Sequence, residues 1–283
     1  MAISLKSLIP DRFRRDTAVI PLIRLSGAIG GVSPVRSGLS LQSVEAALAR
    51  AFGVKTAPAV AILVNSPGGA AVQSHLIFKR IRALAEEKGK KVIVAVEDVA
   101  ASGGYMIAAA GDEIIVDNSS IVGSIGVVSA GFGFPKLLDR IGVERRVHTA
   151  GKSKAMLDPF QPEKEDDVLR LRSLQEEVHT SFIRLVKSRR PSLVDDPDIF
   201  TGAFWSGARA VELGLADRVG DLRSVLRERY GEKVRVLPVP TERGGWWRRR
   251  MGFSRGGEDF TVGLVDRVIA MVEERLMLSR FGL

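Results

Sequence analysis

The sequence predicts an α/β layered fold, and three observations carry that expectation. Short, nearly continuous apolar runs alternate with segments whose apolar residues recur at helical spacing, as covered strands and their crossover helices do. Glycine-rich turns follow two of these runs, at Asn65-Ser66-Pro67-Gly68-Gly69 and at Ser102-Gly103-Gly104. Of 283 residues, 45% are hydrophobic, enough to bury a full core in one large domain with or without an appendage.

In chain order, residues 19–25 read as a first strand and 27–34 as a glycine-rich loop. Residues 41–52 are spaced as a helix, and 59–64 form an apolar run that fits a strand covered on both faces. That run ends in the Pro67-Gly68-Gly69 turn, and a helix follows over 72–87. The plan then repeats: a buried strand over 91–96, a turn around Ser102, and a small-residue helix over 106–110. Strand-like pieces follow at 113–116, 121–128 and 143–148, with a short helix at 135–141 between the last two and a polar loop at 149–160. Residues 166–189 form a long charged helix with an apolar stripe through Leu169, Leu174, Val178, Phe182 and Leu185, broken by 191–197. A short helix over 208–213 is closed by Gly214, with Asp217 just beyond. Composition changes after Pro240. The expected division is an N-terminal extension over 1–16, a main domain over 17–240, a linker over 241–257 and a C-terminal helix over 258–283, with Leu264, Val268, Val272 and Leu276 at helical spacing. Sites in such folds gather where the glycine turns lie.

Composition removes several classes of function. The net charge is +9, but the basic excess lies in separate runs, Arg12-Phe13-Arg14-Arg15, Arg189-Arg190 and Arg248-Arg249-Arg250. Such runs are usually solvated, so no nucleic-acid partner is expected. Cysteine is absent, which excludes disulfides and thiolate chemistry, and the three histidines, His75, His148 and His179, lie far apart. No metal and no cofactor is expected. No window reaches the roughly 18 consecutive apolar residues of a membrane span, and the first residues lack a signal-peptide core. A cytoplasmic chain is expected. Trp246-Trp247 and the arginines after them suit a headgroup zone, which points to peripheral membrane contact through the C-terminal region. The competing reading is a linker whose tryptophans pack on protein.

The candidate chemistry centres on Ser102, placed at a strand-to-helix junction. Two glycines behind it let a substrate backbone come close, and the first amides of a helix have no partners within it, so they suit a developing oxyanion. A nucleophilic serine needs a base. No histidine is marked by a nearby acid as a triad member. A lysine acts as general base only when burial or neighbouring positive charge favours its neutral form. The loop over 151–160 offers Lys152 and Lys154, which by composition alone could both be solvated.

Five motifs in order carry a family resemblance: Asn65-Ser66-Pro67-Gly68-Gly69, Ala101-Ser102-Gly103-Gly104-Tyr105, Gly123-Ser124-Ile125-Gly126-Val127, Gly151-Lys152-Ser153-Lys154, and Trp205-Ser206-Gly207 through Ala210, Gly214-Leu215 and Asp217. The chain resembles, over about residues 18–229, the signal peptide peptidase A family of serine proteases, the S49 peptidases, in a short single-copy form. The resemblance implies the Clp protease and crotonase type of layered fold, built of repeated β-β-α units. It implies Ser102 as nucleophile, Lys154 as general base with Lys152 the weaker choice, and Ser124 as the serine that orients the lysine. Backbone N–H groups of Gly69 and Gly103 are the favoured oxyanion donors, with Gly68 adjacent. It further implies hydrolysis of peptides or unfolded segments, signal-peptide remnants among them, through an acyl-enzyme, and a homo-oligomeric ring whose serine and lysine meet between subunits. No counterpart of the N-terminal membrane anchor common in the family is expected from these residues. Two other readings compete. A crotonase-type acyl-CoA enzyme would use a carboxylate and not need Ser102, and a non-catalytic membrane-associated scaffold would leave Ser102 unreactive.

Overall fold

Eight strands form one sheet in the order β6-β5-β3-β2-β1-β8, with β4 beside β3 and β7 beside β4. The structure is a computed structural model and describes residues 17–30 and 38–241. The strands are β1 (Val19–Ser26), β2 (Ala59–Ser66), β3 (Lys91–Ala101), β4 (Glu113–Val116), β5 (Ile121–Gly123), β6 (Phe204–Ser206), β7 (Arg218–Val219) and β8 (Arg235–Pro238). All pairings are parallel except β5 with β6. The helices are α1 (Leu41–Phe52), α2 (Ala71–Lys88), α3 (Gly103–Ala108), α4 (Pro135–Arg140), α5 (Glu165–Arg189), α6 (Gly207–Glu212) and α7 (Leu222–Tyr230). The expected mixed α/β layering is what the chain adopts.

Alternate residues of each strand point to opposite sides, and the two sides differ. On one, Ile23, Leu25, Val60, Ile62, Val64, Val92 and Val94 meet the apolar faces of α1, α2 and α3 and Phe182 and Val186 of α5. On the other, Ile20, Ala59, Ala61, Ile93 and Ile115 are covered by Val225 and Leu226 of α7. Helix α1 begins cleanly because Ser40 and Ser43 cap each other, the Ser40 side chain accepting from the Ser43 amide and the Ser43 side chain from the Ser40 amide. Helix α2 ends at Gly89, which takes the left-handed conformation (φ 60°).

Strand β3 is the axis of the fold and runs further than its apolar pattern announces. Val64 pairs with Val96, but Ser66 pairs with Ala100, so two extra residues bulge out of β3 around Glu97-Asp98. The Asn65 side-chain amide donates to Asp98 (2.6 Å), and the Ser120 hydroxyl donates to the Glu97 carbonyl (2.7 Å), pinning the bulge from both sides. Before the bulge β3 pairs with β4, and after it with β5.

Four expectations need correction. The strand over 121–128 stops at Gly123, because Ser124 turns to a positive φ and the chain leaves the sheet. Residues 143–148 form no strand: they are exposed and pair with no strand among the described residues. The apolar stripe of α5 packs only through its C-terminal half, since Leu169 and Leu174 are exposed while Phe182 and Val186 are buried. Arg189-Arg190 is not a solvated run. The Arg190 guanidinium is buried, donates to both carboxylate oxygens of Asp217 (2.8 and 2.9 Å) and to the Gly214 carbonyl (2.8 Å), and so ties the end of α5 to the segment after α6. The linker expected over 241–257, apart from residue 241, the C-terminal helix expected over 258–283 and the extension over 1–16 lie outside the described residues.

Candidate active site

The C-terminal ends of β2, β3 and β5 converge, and four of the motifs' residues meet there. Beyond β3, Ser102 adopts φ 52° and ψ −121°, a sparsely populated conformation for a residue with a side chain, and it opens α3 as its N-terminal cap. Two backbone hydrogen bonds hold it: its N–H donates to the Gly123 carbonyl (2.8 Å), and its own carbonyl accepts from Met106 (3.0 Å). The Ser102 side chain is half-buried and makes no hydrogen bond among the described residues. Ala101 and Gly103 on either side are buried, so the turn presents the hydroxyl and little else.

The glycine turn after β2 packs directly on this junction. A Cβ on Gly68 would lie 2.8 Å from the Ser102 Cβ and 2.9 Å from the Gly103 nitrogen, so Gly68 must be glycine for the turn to sit that close, as its φ of 105° also requires. Ile29, beyond the end of β1, bridges the turn: its N–H donates to the Gly68 carbonyl and its carbonyl accepts from Ala70, both at 2.8 Å. Gly69, between those two bonded groups, keeps an N–H without a partner among the described residues. The Gly103 N–H, first of α3, is likewise unpartnered among them. The Gly68 N–H is directed instead to the Ser66 hydroxyl at 3.2 Å. Among the described residues the Gly69 and Gly103 amides and the Ser102 hydroxyl are thus all without a partner, on the glycine turn and on the junction it packs against.

Ser124 follows β5 with φ 54°, its N–H donating to the Ala203 carbonyl (2.6 Å). His179 on α5 bonds through Nε2 to the carbonyl of Ile125 (3.0 Å) and so braces the same loop. None of the three histidines bonds to Ser102: His75 lies against Phe78 on α2, His148 is exposed, and His179 is engaged with Ile125. Burial, with Lys79 nearby, holds the His75 pKa below its ordinary value.

The lysines are elsewhere. Lys152 and Lys154 are exposed, and neither ammonium has a hydrogen-bond or ion-pair partner among the described residues. They lie on an arm, residues 127–160, that departs after β5 and returns into α5. Among the described residues, every hydrogen bond and ion pair of this arm stays within residues 134–167. Arg145 ties it together, pairing with Asp158 (3.0 Å) and lying over the Phe160 ring (4.6 Å), which in turn meets Phe134. The arm exposes Phe132 (83%), Val128 (67%) and Ile141 (60%).

Beneath the site, the Tyr105 hydroxyl donates to the Leu215 carbonyl (2.9 Å); burial raises its pKa, opposed by the neighbouring Arg190 and reinforced by Asp217. At the far end of α3, the carbonyls of Ala109, Ala110 and Gly111 accept from Arg189 and Arg82, and both arginines also reach Asp112. Sequence reasoning missed Ser66, Ile29 and His179. Ser66 and Ile29 hold the glycine turn by contacts between distant segments, and the only local sign was a serine at the end of an apolar strand two residues before a glycine.

A family model, Peptidase family S49, matches residues 84–234. The chain belongs to peptidase family S49. It is 56% identical over 99% of its length to a Brucella abortus protein named Na(+)/H(+) antiporter NhaA, of which the match covers 39%. It is 33% identical over 72% of its length to the Arabidopsis thaliana protein Serine protease SPPA, chloroplastic, covering 31% of that protein. It is 34% identical over 75% of its length to a Haemophilus influenzae protein named Probable protease SohB, covering 59% of it. The chain therefore spans well under two thirds of these relatives. Among the described residues of this S49 chain, no helix is long and apolar enough to cross a membrane.

Proposed function

We propose that the chain is a serine endopeptidase that cleaves peptides or unfolded protein segments, signal-peptide remnants among them, by a Ser-Lys dyad. The observation that carries this reading is the free Ser102 hydroxyl, held in a strained turn beside the unpartnered amides of Gly69 and Gly103. Strain of this kind, about 1–3 kcal/mol, persists only where surrounding structure enforces it and recurs at reacting groups.

In the proposed reaction neutral Lys154 takes the Ser102 proton as the Ser102 oxygen attacks the peptide carbonyl. The Gly69 and Gly103 amides receive the negative charge of the tetrahedral intermediate. Lys154 then gives its proton to the departing amine, leaving an acyl-enzyme. Water attacks that ester with Lys154 again taking the proton, and Ser102 leaves with it restored. Ser124 orients the lysine.

Lys154 reaches Ser102 from a second copy of the chain in a homo-oligomer. Two features support this. Among the described residues no hydrogen bond or ion pair ties the arm to the glycine turns of its own chain, and Val128, Phe132 and Ile141 on it lie open. A covering subunit would remove water from both, which is what a lysine base requires. The test is reaction of the purified chain with a fluorophosphonate or other serine-acylating reagent, followed by intact mass and location of the adduct. The expected adduct is on Ser102. Hydrolysis of an unstructured peptide that survives in Ser102→Ala would overturn the assignment.

A further inference from the structure

Among the described residues, Ser66, Ser74, Ser120 and Arg190 are polar or charged residues buried as whole residues. Arg190 and Ser120 have the structural partners described above, and Ser74 bonds back to the Ala70 carbonyl within its own helix (3.0 Å). Ser66 differs, because it touches both walls of the site. Its hydroxyl donates to the Gly27 carbonyl (2.7 Å) at the end of β1 and accepts the Gly68 N–H (3.2 Å). Its own carbonyl lies so close under the first turn of α3 that a Cβ on Gly104 would collide with it. One residue therefore sets the position of the glycine turn relative to the helix that Ser102 opens.

We propose that Ser66 is a positioning residue for the oxyanion site: by engaging the Gly68 amide and the Gly27 carbonyl, it leaves the Gly69 N–H to pair with that of Gly103. A hydroxyl has one hydrogen to give and lone pairs to accept with, and both capacities are used here, one on each side of the turn. Without it the Gly68 amide becomes a buried donor with no partner, which the turn relieves by rotating toward water or toward the cleft. Rotation of that peptide carries the adjoining Gly69 amide with it, away from the oxygen it is to meet. The inference rests on the Ser-Lys reading above.

The experiment compares the full-length wild type with Ser66→Ala and Ser66→Cys, the latter keeping the volume with a weaker donor and acceptor and so standing in if the alanine variant does not fold. For each, kcat and KM are measured on an unstructured peptide. Affinity is measured for a peptidyl boronic acid, whose tetrahedral adduct places an oxygen in the oxyanion site, and for the matching peptide carboxylate, which forms no such adduct. The expected result is a fall in kcat of about tenfold or more, a parallel loss of boronate affinity, and little change in KM or carboxylate affinity, with Ser66→Cys between. Unchanged kcat and boronate affinity in folded variants would overturn the inference. So would a loss shared equally by both ligands and by the melting temperature, which marks a structural role only. Ser102→Ala separates the two proposals: if it stays active, the Ser-Lys reading fails; if it is inactive while Ser66→Ala is fully active, only the role of Ser66 fails.

Discussion

The Ser102 amide donates to the Gly123 carbonyl at 2.8 Å, and through that bond two serines with nearly equal positive φ, Ser102 at 52° and Ser124 at 54°, stand at the ends of adjacent parallel strands. Neither conformation is common for a residue with a side chain, yet both are kept at the C-terminal ends of neighbouring strands. The bulge at Glu97-Asp98 makes this possible by bringing the end of β3 into register with β5 instead of β4.

The proposed sharing of Ser102 and Lys154 between copies has a direct test. Ser102→Ala and Lys154→Ala are each expected to lower peptide hydrolysis by about 10³-fold or more. Mixing the two inactive chains and allowing subunits to exchange is expected to restore measurable hydrolysis. Absence of recovery in verified mixed oligomers would place both groups within one chain.

Ser124 separates strain from chemistry. Glycine tolerates φ 54° freely, so Ser124→Gly is expected to hold or raise stability by up to about 1 kcal/mol while hydrolysis falls, because the hydroxyl proposed to orient the lysine is gone. Chemical denaturation and peptide turnover measured on the same preparation check both halves.

Gly69 and Gly89 form a matched pair. Both have positive φ, but a Cβ on Gly69 would collide with the Ile29 carbonyl, whereas one on Gly89 would meet nothing. Gly89→Ala is expected to cost about 1 kcal/mol and leave activity intact. Gly69→Ala is expected to cost at least about 2 kcal/mol and remove most activity in whatever fraction folds.

The buried clamp beneath the site predicts a large loss of stability from a residue that touches no substrate. Asp217→Ala leaves the Arg190 guanidinium buried without its carboxylate, and the expected cost is about 3–5 kcal/mol in a denaturant titration. Replacing both by leucine is expected to cost less than the single change.

Asp112 gives the acid limb of stability. Burial opposes its charge, but the Val92 N–H, Arg82 and Arg189 outweigh this and hold its carboxyl below the ordinary carboxylate value. A carboxyl depressed in the folded state stabilises above its unfolded pKa, about 3.9, and that contribution is lost as pH falls through the lower folded value. The melting temperature is therefore expected to fall as pH is lowered from about 5 to about 3, and less steeply in Asp112→Asn.

Much of this fold was legible because its buried strands are nearly continuous apolar runs and its helices carry apolar residues at helical spacing, with Gly214 closing the short helix over 208–213. The continuation of β3 to Ala101 was hidden because Glu97-Asp98 interrupts the apolar run, and those two residues turn out to be the bulge. The pattern at 143–148 misled for the opposite reason: local preference was present, but the arm carries it away from the sheet. At the site, the glycine turns around Gly68-Gly69 and Ser102-Gly103 could be read locally, since a turn announces itself within five residues, whereas the roles expected of Gly68 and Gly69 came with the family resemblance. The clamp of Arg190 on Asp217 and the bracing of Ile125 by His179 could not, because each joins segments that only the folded chain makes neighbours.

The collision awaiting any methyl group at Gly69 has a meaning for descent as well as for catalysis. Glycine there is demanded by the architecture of the bridge from Ile29, so a descendant that had lost all enzymatic power would still be compelled to retain it. Persistence of that glycine in a distant cousin is accordingly a record of inherited shape, and the hydroxyl of Ser102, which no neighbouring bond requires, is the more informative letter to inspect.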